Sequence, residues 1–301
     1  MQNIKNYMQD FIKELNYKPA LDMFMYIKSG KMIRSKLILS ITKDFDIYKY
    51  RIYEFCACIE LIHLASLLHD DVIDEATTRR GTKSINEEFG AKNAIMLGDI
   101  LYAKAFEKLL NFPSNITNFV SESVSKLAIG ELMDIKLSNN FNYDEDIYLK
   151  MLEYKTASLI EVSAKCSAIL VGMEYENLAI YGKNLGIAFQ IIDDILDLTN
   201  DESILGKPSM NDFKEGKTTL VYIKLFKELN NADKDYLKSL FKKELNDFEL
   251  KWIKENIKKY NIIQKTKNIA QNYINNAIKS IKHLNNQSLN DIALEMINRE
   301  F

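Results

Sequence analysis

Two acidic clusters share one spacing in this sequence. The pattern Asp-Asp-x-x-Asp occurs at residues 70–74 and again at residues 193–197. Both copies lie in apolar runs with helical periodicity, and residues three or four positions apart share one face of a helix. Like charges on neighbouring turns repel, whereas Mg²⁺ prefers oxygen ligands and is usually held by carboxylates together with substrate phosphates. Two such copies therefore predict a paired metal and diphosphate site rather than two solvated acidic helix ends.

Basic side chains accompany the first cluster. Arg79 and Arg80 follow it closely, and arginine is suited to bidentate recognition of a diphosphate. Lys31 and Arg34 are three residues apart at the predicted start of a helix, beside Gly30, so both project from one face. From these segments alone, ordinary surface ion pairs remain an alternative to phosphate binding.

A long polar segment follows the second cluster. Residues 200–217 contain glycines, a proline and the two lysines Lys207 and Lys217. Loops of this length in a compact domain are more often functional lids than passive connectors. We predict that this segment closes over a bound phosphate. By contrast, the Lys155-Thr156 pair in an earlier helical run carries little information by itself.

The elements that position these residues are predicted to be helical. The chain has 301 residues, 47% of them apolar, with three prolines and ten glycines and no linker-like segment. Periodic helical patterns run through most of its length. We therefore expect an all-α fold in one domain over residues 1–301, with the last third serving packing or subunit contact.

Composition excludes several classes of function. The net charge is −2, with 40 basic and 42 acidic residues spread along the chain, so no nucleic-acid partner is expected. Neither a signal peptide nor an unbroken membrane-spanning run is evident, which predicts a cytoplasmic protein without stable membrane insertion. Three cysteines, Cys56, Cys58 and Cys166, form neither a disulfide framework nor a zinc pattern and are expected in the core.

Taken together, the motifs resemble the trans-isoprenyl diphosphate synthase family, also called polyprenyl synthases, over about residues 28–222. The resemblance implies an all-α, antiparallel helical bundle around a deep central cavity, the isoprenoid synthase type I fold, usually in a homodimer. The matching segments, in order, are Asp70–Gly81, Lys155–Thr156, Phe189–Asp197, Gly206–Lys207 and Glu215–Lys217.

The resemblance also implies roles for individual residues. Three Mg²⁺ ions would be held on the allylic diphosphate by Asp70, Asp74 and Asp193, supported by Asp71, Asp194 and Asp197. The allylic site would be completed by Arg79, Lys155, Thr156, Gln190, Lys207 and Lys217. The diphosphate of isopentenyl diphosphate would be bound by Lys31, Arg34, His63 and Arg80.

One segment departs from the family pattern. The family's usual Gly-Gly-Lys-Arg-Leu-Arg-Pro is Ser-Gly-Lys-Met-Ile-Arg-Ser at residues 29–35 of this chain. Both outer cations, Lys31 and Arg34, are kept, and the arginine between them is replaced by Met32. This difference bears on the affinity for isopentenyl diphosphate.

The implied reaction is a head-to-tail condensation of isopentenyl diphosphate with an allylic diphosphate. Ionisation of the allylic substrate precedes bond formation and loss of a proton. Ala65 and Ser66 lie about one helical turn, roughly 5.4 Å, before Asp70. Since bulky residues there shorten the products of family members, these small residues predict a long-chain product, octaprenyl (C40) diphosphate.

Several alternatives remain at the level of sequence. The product could be shorter, geranylgeranyl or farnesyl diphosphate, or the chain could be a non-catalytic subunit of a heteromeric synthase. A class I terpene cyclase would leave the second set of cations without a substrate. A phosphohydrolase using His69 and Asp70 as a metal-binding pair would leave the second acidic cluster unexplained.

Overall fold

The computed structural model describes residues 1–45, 49–199 and 210–297, and these residues are predominantly helical. The all-α prediction is confirmed. A π-helical turn over Glu153–Ala157 and a 3₁₀ turn over Lys282–Leu284 interrupt the α-helical pattern. The α-helices are α1 Gln2–Lys13, α2 Lys18–Tyr26, α3 Ile33–Ile41, α4 Lys49–Ile73, α5 Ile85–Phe89, α6 Ala91–Leu109, α7 Ser114–Leu137, α8 Glu145–Leu152, α9 Ser158–Leu170, α10 Glu176–Thr199, α11 Asn211–Lys214, α12 Leu220–Glu228, α13 Asn231–Leu240, α14 Asp247–Lys259, α15 Ile262–Ser280 and α16 Gln287–Ile297.

The chain divides into two compact units. Unit 1 comprises Met1–Val124 and Leu159–Ala179, and unit 2 comprises Ser125–Ser158 and Ile180–Phe301. The first acidic cluster belongs to unit 1 and the second to unit 2. The single functional domain expected over residues 1–301 stays a prediction.

Helix α4 forms the centre of unit 1. It spans 25 residues, packs against α1, α3 and α6, and buries residues on nearly every side, among them Phe55, Ile59 and Ile62. A helix that is apolar all round is typical of a protein core or a membrane span. Length and composition alone would permit α4 to cross a membrane, but 67% of its most apolar stretch is buried inside the protein. Its composition is accounted for by its central position.

A small hairpin follows α4 in unit 1. The two-residue strands β1 Thr78–Arg79 and β2 Thr82–Lys83 pair antiparallel, with Arg79 opposite Thr82. Arg80 and Gly81 form the turn, and both have positive φ angles, 52° and 71°. Such a turn needs left-handed backbone, which glycine adopts without steric cost. The turn directs the side chains of two consecutive arginines differently.

Unit 2 has its own core. Ile191 and Ile195 of α10 pack in one buried cluster with Phe213, Tyr222 and many aliphatic residues of the C-terminal helices. Phe213 stacks on Tyr222 with ring centroids 4.3 Å apart. The amphipathic C-terminal third therefore contributes apolar side chains to packing, as its periodicity indicated.

All three cysteines are free and buried. Burial raises the pKa of each thiol, so the thiols remain protonated near neutral pH. The prediction that they are core residues is confirmed.

Candidate active site

The first acidic motif lies at the C-terminal end of α4. Successive residues on a helix point about 100° apart, whereas residues four apart share a face. Asp70 is accordingly half-buried and Asp74 exposed, while Asp71 between them is buried at 2% exposure. The Asp74 N–H donates to the Asp70 carbonyl at 2.8 Å, which continues the helical turn. Asp70 and Asp74 thus present carboxylates one turn apart on the same side.

Asp71 binds Arg79 of the hairpin instead. The Arg79 Nε lies 2.6 Å and 2.7 Å from the two Asp71 carboxylate oxygens, and Nη2 contacts Oδ1. A forked ion pair to a buried carboxylate has fixed geometry. Asp71 therefore anchors the hairpin to α4.

His69 faces helix α6. Its Nε2 lies 3.2 Å from the Ile95 carbonyl oxygen and 3.5 Å from Asp99 Oδ1. These contacts engage Nε2, and within the part of the chain that the structure describes no group of three or more His, Cys, Asp or Glu side chains could hold a metal ion here. The phosphohydrolase alternative gains no support from this geometry.

A group of cations is brought together in unit 1. Arg80 donates through Nη1 to the Lys28 carbonyl at 2.7 Å, and its guanidinium lies directly over Gly30. A Cβ atom on Gly30 would be 2.5 Å from Arg80 Nη2, so glycine is required for this close approach. The loop before α3 and the hairpin are therefore in contact at the two segments whose cations the sequence singled out.

The pKa of His63 is affected by the same arginines. Burial, with Arg34, Arg80 and Arg79 nearby, holds the pKa of His63 well below its usual value. The ring is therefore neutral at neutral pH and can donate one N–H. Burial is the largest cause of this shift, and the positive charge of the three arginines, which adds to it, favours an anion at the same place.

Glu60, which sequence reasoning did not assign, supports this cationic group. It is 4% exposed and accepts from the Ser35 backbone N–H at 3.1 Å and the Ser35 hydroxyl at 2.7 Å. Its charge partly offsets the burial that lowers the pKa of Arg34 to about 10. Arg34 Nε is buried and has no hydrogen-bond partner among the residues that the structure describes. Lys31, the fourth predicted member, is exposed just before α3.

A cleft opens beside the arginines in unit 1. Its walls include Leu64, Leu67 and Leu68 of α4 as well as Arg79 and Arg80. Apolar walls next to guanidinium groups suit a ligand that is part hydrocarbon and part anion. Ala65 and Ser66, predicted to leave space for a long product, are both buried, and the Ser66 hydroxyl donates to the His63 carbonyl at 2.9 Å.

The second acidic motif lies near the end of α10 in unit 2. Asp193 is half-buried, whereas Asp194 and Asp197 are 6% and 7% exposed. Asp194 accepts from the Tyr148 hydroxyl and from Gln190 Nε2, the latter at 3.1 Å. Asp197 accepts from the Asp212 backbone N–H at 3.2 Å.

The carboxylates of unit 2 influence one another. Burial and the nearby charge of Asp212 raise the pKa of Asp194 well above its usual value, while the hydrogen bonds from Tyr148 and Gln190 oppose that shift. Asp212 lies outside the repeated motif. Sequence reasoning did not assign it, although it occurs in the polar segment that was predicted to be functional.

Lys155 and Thr156 lie in the π-helical turn. π-bulges within α-helices are frequently found at functional sites. Gly130 of α7 permits this turn to approach, since a Cβ there would be 2.3 Å from the Lys155 backbone nitrogen. The Thr156 hydroxyl lies 3.0 Å from Gln190 Oε1. Two residues that are 34 positions apart in sequence are thus brought into direct contact.

Lys155 is held by two carboxylates that the sequence reading missed. Its Nζ lies 2.8 Å from Glu131 Oε2 and 2.5 Å from Asp134 Oδ2. Both acids are on α7, one turn apart and directly after Gly130, and both are mostly buried. Two acids one helical turn apart in an otherwise apolar stretch were the sequence signal that could have identified this site. Lys217 pairs with Glu215 at 2.8 Å, whereas Lys207 lies outside the described residues.

Comparison with known proteins decides the family. The family described as Polyprenyl synthetase matches residues 18–257. The chain belongs to this family. A geranylgeranyl diphosphate synthase of Sulfolobus acidocaldarius is 35% identical over 298 residues, which cover 95% of this chain and 89% of that protein. The octaprenyl diphosphate synthase of Escherichia coli is 37% identical over 204 residues, 66% of this chain and 63% of that one.

The fold agrees with this assignment. A crystal structure of octaprenyl pyrophosphate synthase from Helicobacter pylori is similar with a TM-score of 0.94 at 43% identity, covering 99% of this chain and 98% of that chain. The polyprenyl synthetase fold and the prenyltransferase class, both implied by the family resemblance, are confirmed. The roles of the individual site residues stay predictions.

Proposed function

We propose that this polyprenyl synthetase condenses isopentenyl diphosphate with an allylic diphosphate in the presence of Mg²⁺ and makes a long-chain product, octaprenyl (C40) diphosphate. The observation that carries the proposal is the group of Arg34, neutral His63 and Arg80 in unit 1, where Arg80 lines a cleft with apolar walls. This group supplies an anion site in addition to the two acidic motifs. A terpene cyclase, with a single diphosphate substrate, has no use for it.

The donor set fits a hard divalent cation. Asp70 and Asp74 offer carboxylate oxygens from one helical face, and Asp193 is the most accessible carboxylate of the second motif. These three residues would hold the metal, three Mg²⁺ ions by resemblance to the family. Among the described residues no group of three or more His, Cys, Asp or Glu side chains forms a metal site by itself. Bound Mg²⁺ would stabilise the charge of the departing diphosphate.

The chain's own residues would bind and orient both substrates. Neutral His63 donates one N–H to the diphosphate of isopentenyl diphosphate, while Lys31, Arg34 and Arg80 supply positive charge. Arg79, Lys155 and Lys217, with Lys207, would bind the allylic diphosphate.

The condensation itself transfers an allylic group to the double bond of isopentenyl diphosphate. The bond between the allylic carbon and the diphosphate oxygen breaks, and the released diphosphate accepts the proton that the condensed product loses. Thr156 and Gln190 would present oxygen atoms towards the positive charge that develops on the allylic carbon. Such contacts strengthen in the transition state and therefore raise kcat.

The long-chain assignment rests on the small residues before Asp70. Ala65 and Ser66 leave the level one turn below the carboxylates without a bulky side chain. The octaprenyl synthase from Helicobacter pylori supports a C40 product, whereas the Sulfolobus acidocaldarius relative supports the C20 alternative.

We further propose a homodimer. Ile129, Leu132 and Ile135 recur every third residue on α7 and are 46%, 66% and 40% exposed. A row of exposed apolar side chains on one helix favours a protein–protein contact. Sedimentation equilibrium of the wild type and of Leu132→Glu tests this, with a shift towards monomer expected in the variant.

The deciding experiment is a condensation assay. Purified protein, Mg²⁺ and labelled isopentenyl diphosphate are incubated separately with dimethylallyl, farnesyl and geranylgeranyl diphosphate, and the dephosphorylated products are separated by length. Products of C35 to C40 support the proposal in full. Products that stop at C15 or C20 support the chemistry and contradict the chain length. Lack of condensation with every primer contradicts the proposal and favours a non-catalytic subunit.

A further inference from the structure

A chain of hydrogen bonds links a tyrosine without an assigned role to the proposed allylic site. The Tyr148 hydroxyl donates to Asp194 Oδ2, and Gln190 Nε2 donates to Asp194 Oδ1 at 3.1 Å. The Thr156 hydroxyl in turn lies 3.0 Å from Gln190 Oε1. All four residues belong to unit 2.

This arrangement determines the orientation of each polar group. Both Asp194 oxygens accept hydrogen bonds, as those of an ionised carboxylate do, so the amide nitrogen of Gln190 faces Asp194 and its oxygen faces away. The Thr156 hydroxyl then donates its hydrogen to Gln190 Oε1 and keeps its lone pairs for another partner. Reversing the Gln190 amide would place an N–H against the Thr156 hydroxyl. The orientation of the Thr156 and Gln190 oxygens thus depends on Asp194.

Asp194 is in turn held by its surroundings. It is 6% exposed, Tyr148 is 4% exposed, and each Asp194 oxygen has a protein donor. Its burial and these two hydrogen bonds leave Asp194 poorly accessible to a metal ion. Asp193, one residue earlier, is half-buried and therefore more accessible.

We propose that Tyr148 is a positioning residue for prenyl transfer, acting through Asp194 to fix the Gln190 amide and the Thr156 hydroxyl with their oxygens available to the allylic cation. Asp194 then belongs to this positioning chain and is not a metal ligand. The inference rests on the proposed function, because it needs an allylic cation to act on.

Tyr148→Phe is the direct test, since it removes one hydroxyl from a buried ring. Tyr181→Phe is a matched control: Tyr181 is fully buried in unit 2, and its hydroxyl donates to the Leu289 carbonyl at 2.7 Å. Tyr148→Phe should lower kcat roughly tenfold to a hundredfold. The KM values of both substrates should stay within about twofold, because the oriented oxygens act on charge that appears in the transition state. Tyr181→Phe should leave kcat unchanged. Equal kcat values for Tyr148→Phe and wild type would overturn the inference.

A double-mutant cycle tests whether Tyr148 acts through Gln190. Gln190→Leu should lower kcat, and adding Tyr148→Phe to it should cost little more, because the positioned group is already absent. If the fold losses in kcat of the two single variants multiply in the double variant, Tyr148 acts independently of Gln190, and this assignment is overturned.

Metal binding separates Asp194 from Asp193 without an activity readout. Binding of Mn²⁺ in the presence of inorganic pyrophosphate is followed by electron paramagnetic resonance. Asp194→Asn should bind the same number of ions as wild type, with Kd within about threefold, whereas Asp193→Asn should bind fewer or bind more weakly. If Asp194→Asn binds one ion fewer than wild type, Asp194 is a metal ligand, and its assignment to the positioning chain is overturned. A wild type that binds metal but condenses no primer would instead contradict the proposed function, and the positioning role with it.

Discussion

Arg79 and Asp71 form a forked ion pair in which the guanidinium Nε lies 2.6 Å and 2.7 Å from the two carboxylate oxygens. The pair connects the hairpin to the end of α4. Asp71 is the second aspartate of its motif, and the second aspartate of the other motif, Asp194, likewise accepts hydrogen bonds from protein donors. In both motifs helical geometry turns the second carboxylate away from the face that the first shares with the residue four positions later.

Removal of Arg79 should destabilise the protein. Arg79→Ala leaves the buried Asp71 carboxylate without its partner, and we expect a loss of about 1–3 kcal/mol in the free energy of unfolding. Urea denaturation of wild type and variant measures this loss. Lys83→Ala is the matched control in the same hairpin, because Lys83 pairs with Glu88 at 3.6 Å on the surface. Lys83→Ala should lower the free energy of unfolding by less than about 0.5 kcal/mol.

The Arg79 prediction has an internal check. Adding Asp71→Asn to Arg79→Ala removes the uncompensated charge and should recover part of the lost stability. If Arg79→Ala and Lys83→Ala destabilise equally, the anchoring role of the Arg79–Asp71 pair is wrong.

A methyl group at Gly30 should displace Arg80. Gly30→Ala places a Cβ 2.5 Å from Nη2 and 2.7 Å from Cζ of that guanidinium, which is the end of a flexible side chain. We expect the KM for isopentenyl diphosphate to rise roughly tenfold with stability changed by less than about 1 kcal/mol. Steady-state kinetics with each substrate varied measures the effect. Ser29→Ala, at the exposed neighbouring position, should behave as wild type. A KM change confined to the allylic substrate would contradict the role given to Arg80.

The depressed pKa of His63 predicts a pH dependence of stability. The folded protein keeps this ring neutral, whereas the unfolded chain binds a proton near the ordinary histidine pKa of about 6.5. Below that pH the unfolded state holds more protons, so stability falls as the pH decreases, by up to about 1.4 kcal/mol per pH unit from this group. His63→Gln should lose this contribution.

Thermal or urea unfolding of both proteins between about pH 7.5 and pH 5 tests the His63 prediction. As the pH falls, the free energy of unfolding should decrease more for wild type than for His63→Gln. His283→Gln, at an exposed position near the C-terminus, serves as the control and should run parallel to wild type. If the free energy of unfolding of His63→Gln changes with pH in the same way as that of wild type, the prediction is wrong.

A bulky side chain at Ser66 should shorten the product. Ser66 is 5% exposed and lies one turn before Asp70, where a phenyl ring would occupy the space needed by a growing chain. Ser66→Phe should shift the main product from about C40 to C20 or shorter, read from the length distribution with farnesyl diphosphate as primer. Ser66→Ala keeps the space open and should leave the distribution as in wild type. Unchanged length in Ser66→Phe would exclude this level as the limit on elongation.

Much of the molecule could be predicted from local patterns. Periodic apolar residues determine an α-helix and the face it buries, so the all-α fold and the core positions of Cys56, Cys58 and Cys166 were readable from the chain. The repeated carboxylate spacing likewise indicated metal and diphosphate chemistry, since ligand spacing on one helix is a local property.

Only the tertiary structure decided which groups meet. Tyr148, which binds Asp194 from 46 positions away, and the two acids that bind Lys155 all come from other helices. The low pKa of His63 likewise results from its burial and from the approach of Arg34 and Arg80 from separate segments. Periodicity tells which face of a helix is buried, but contact between distant segments depends on how whole elements pack. The sequence by itself therefore determined the fold class and the chemical groups. Packing decided which of those groups form hydrogen bonds and ion pairs with one another.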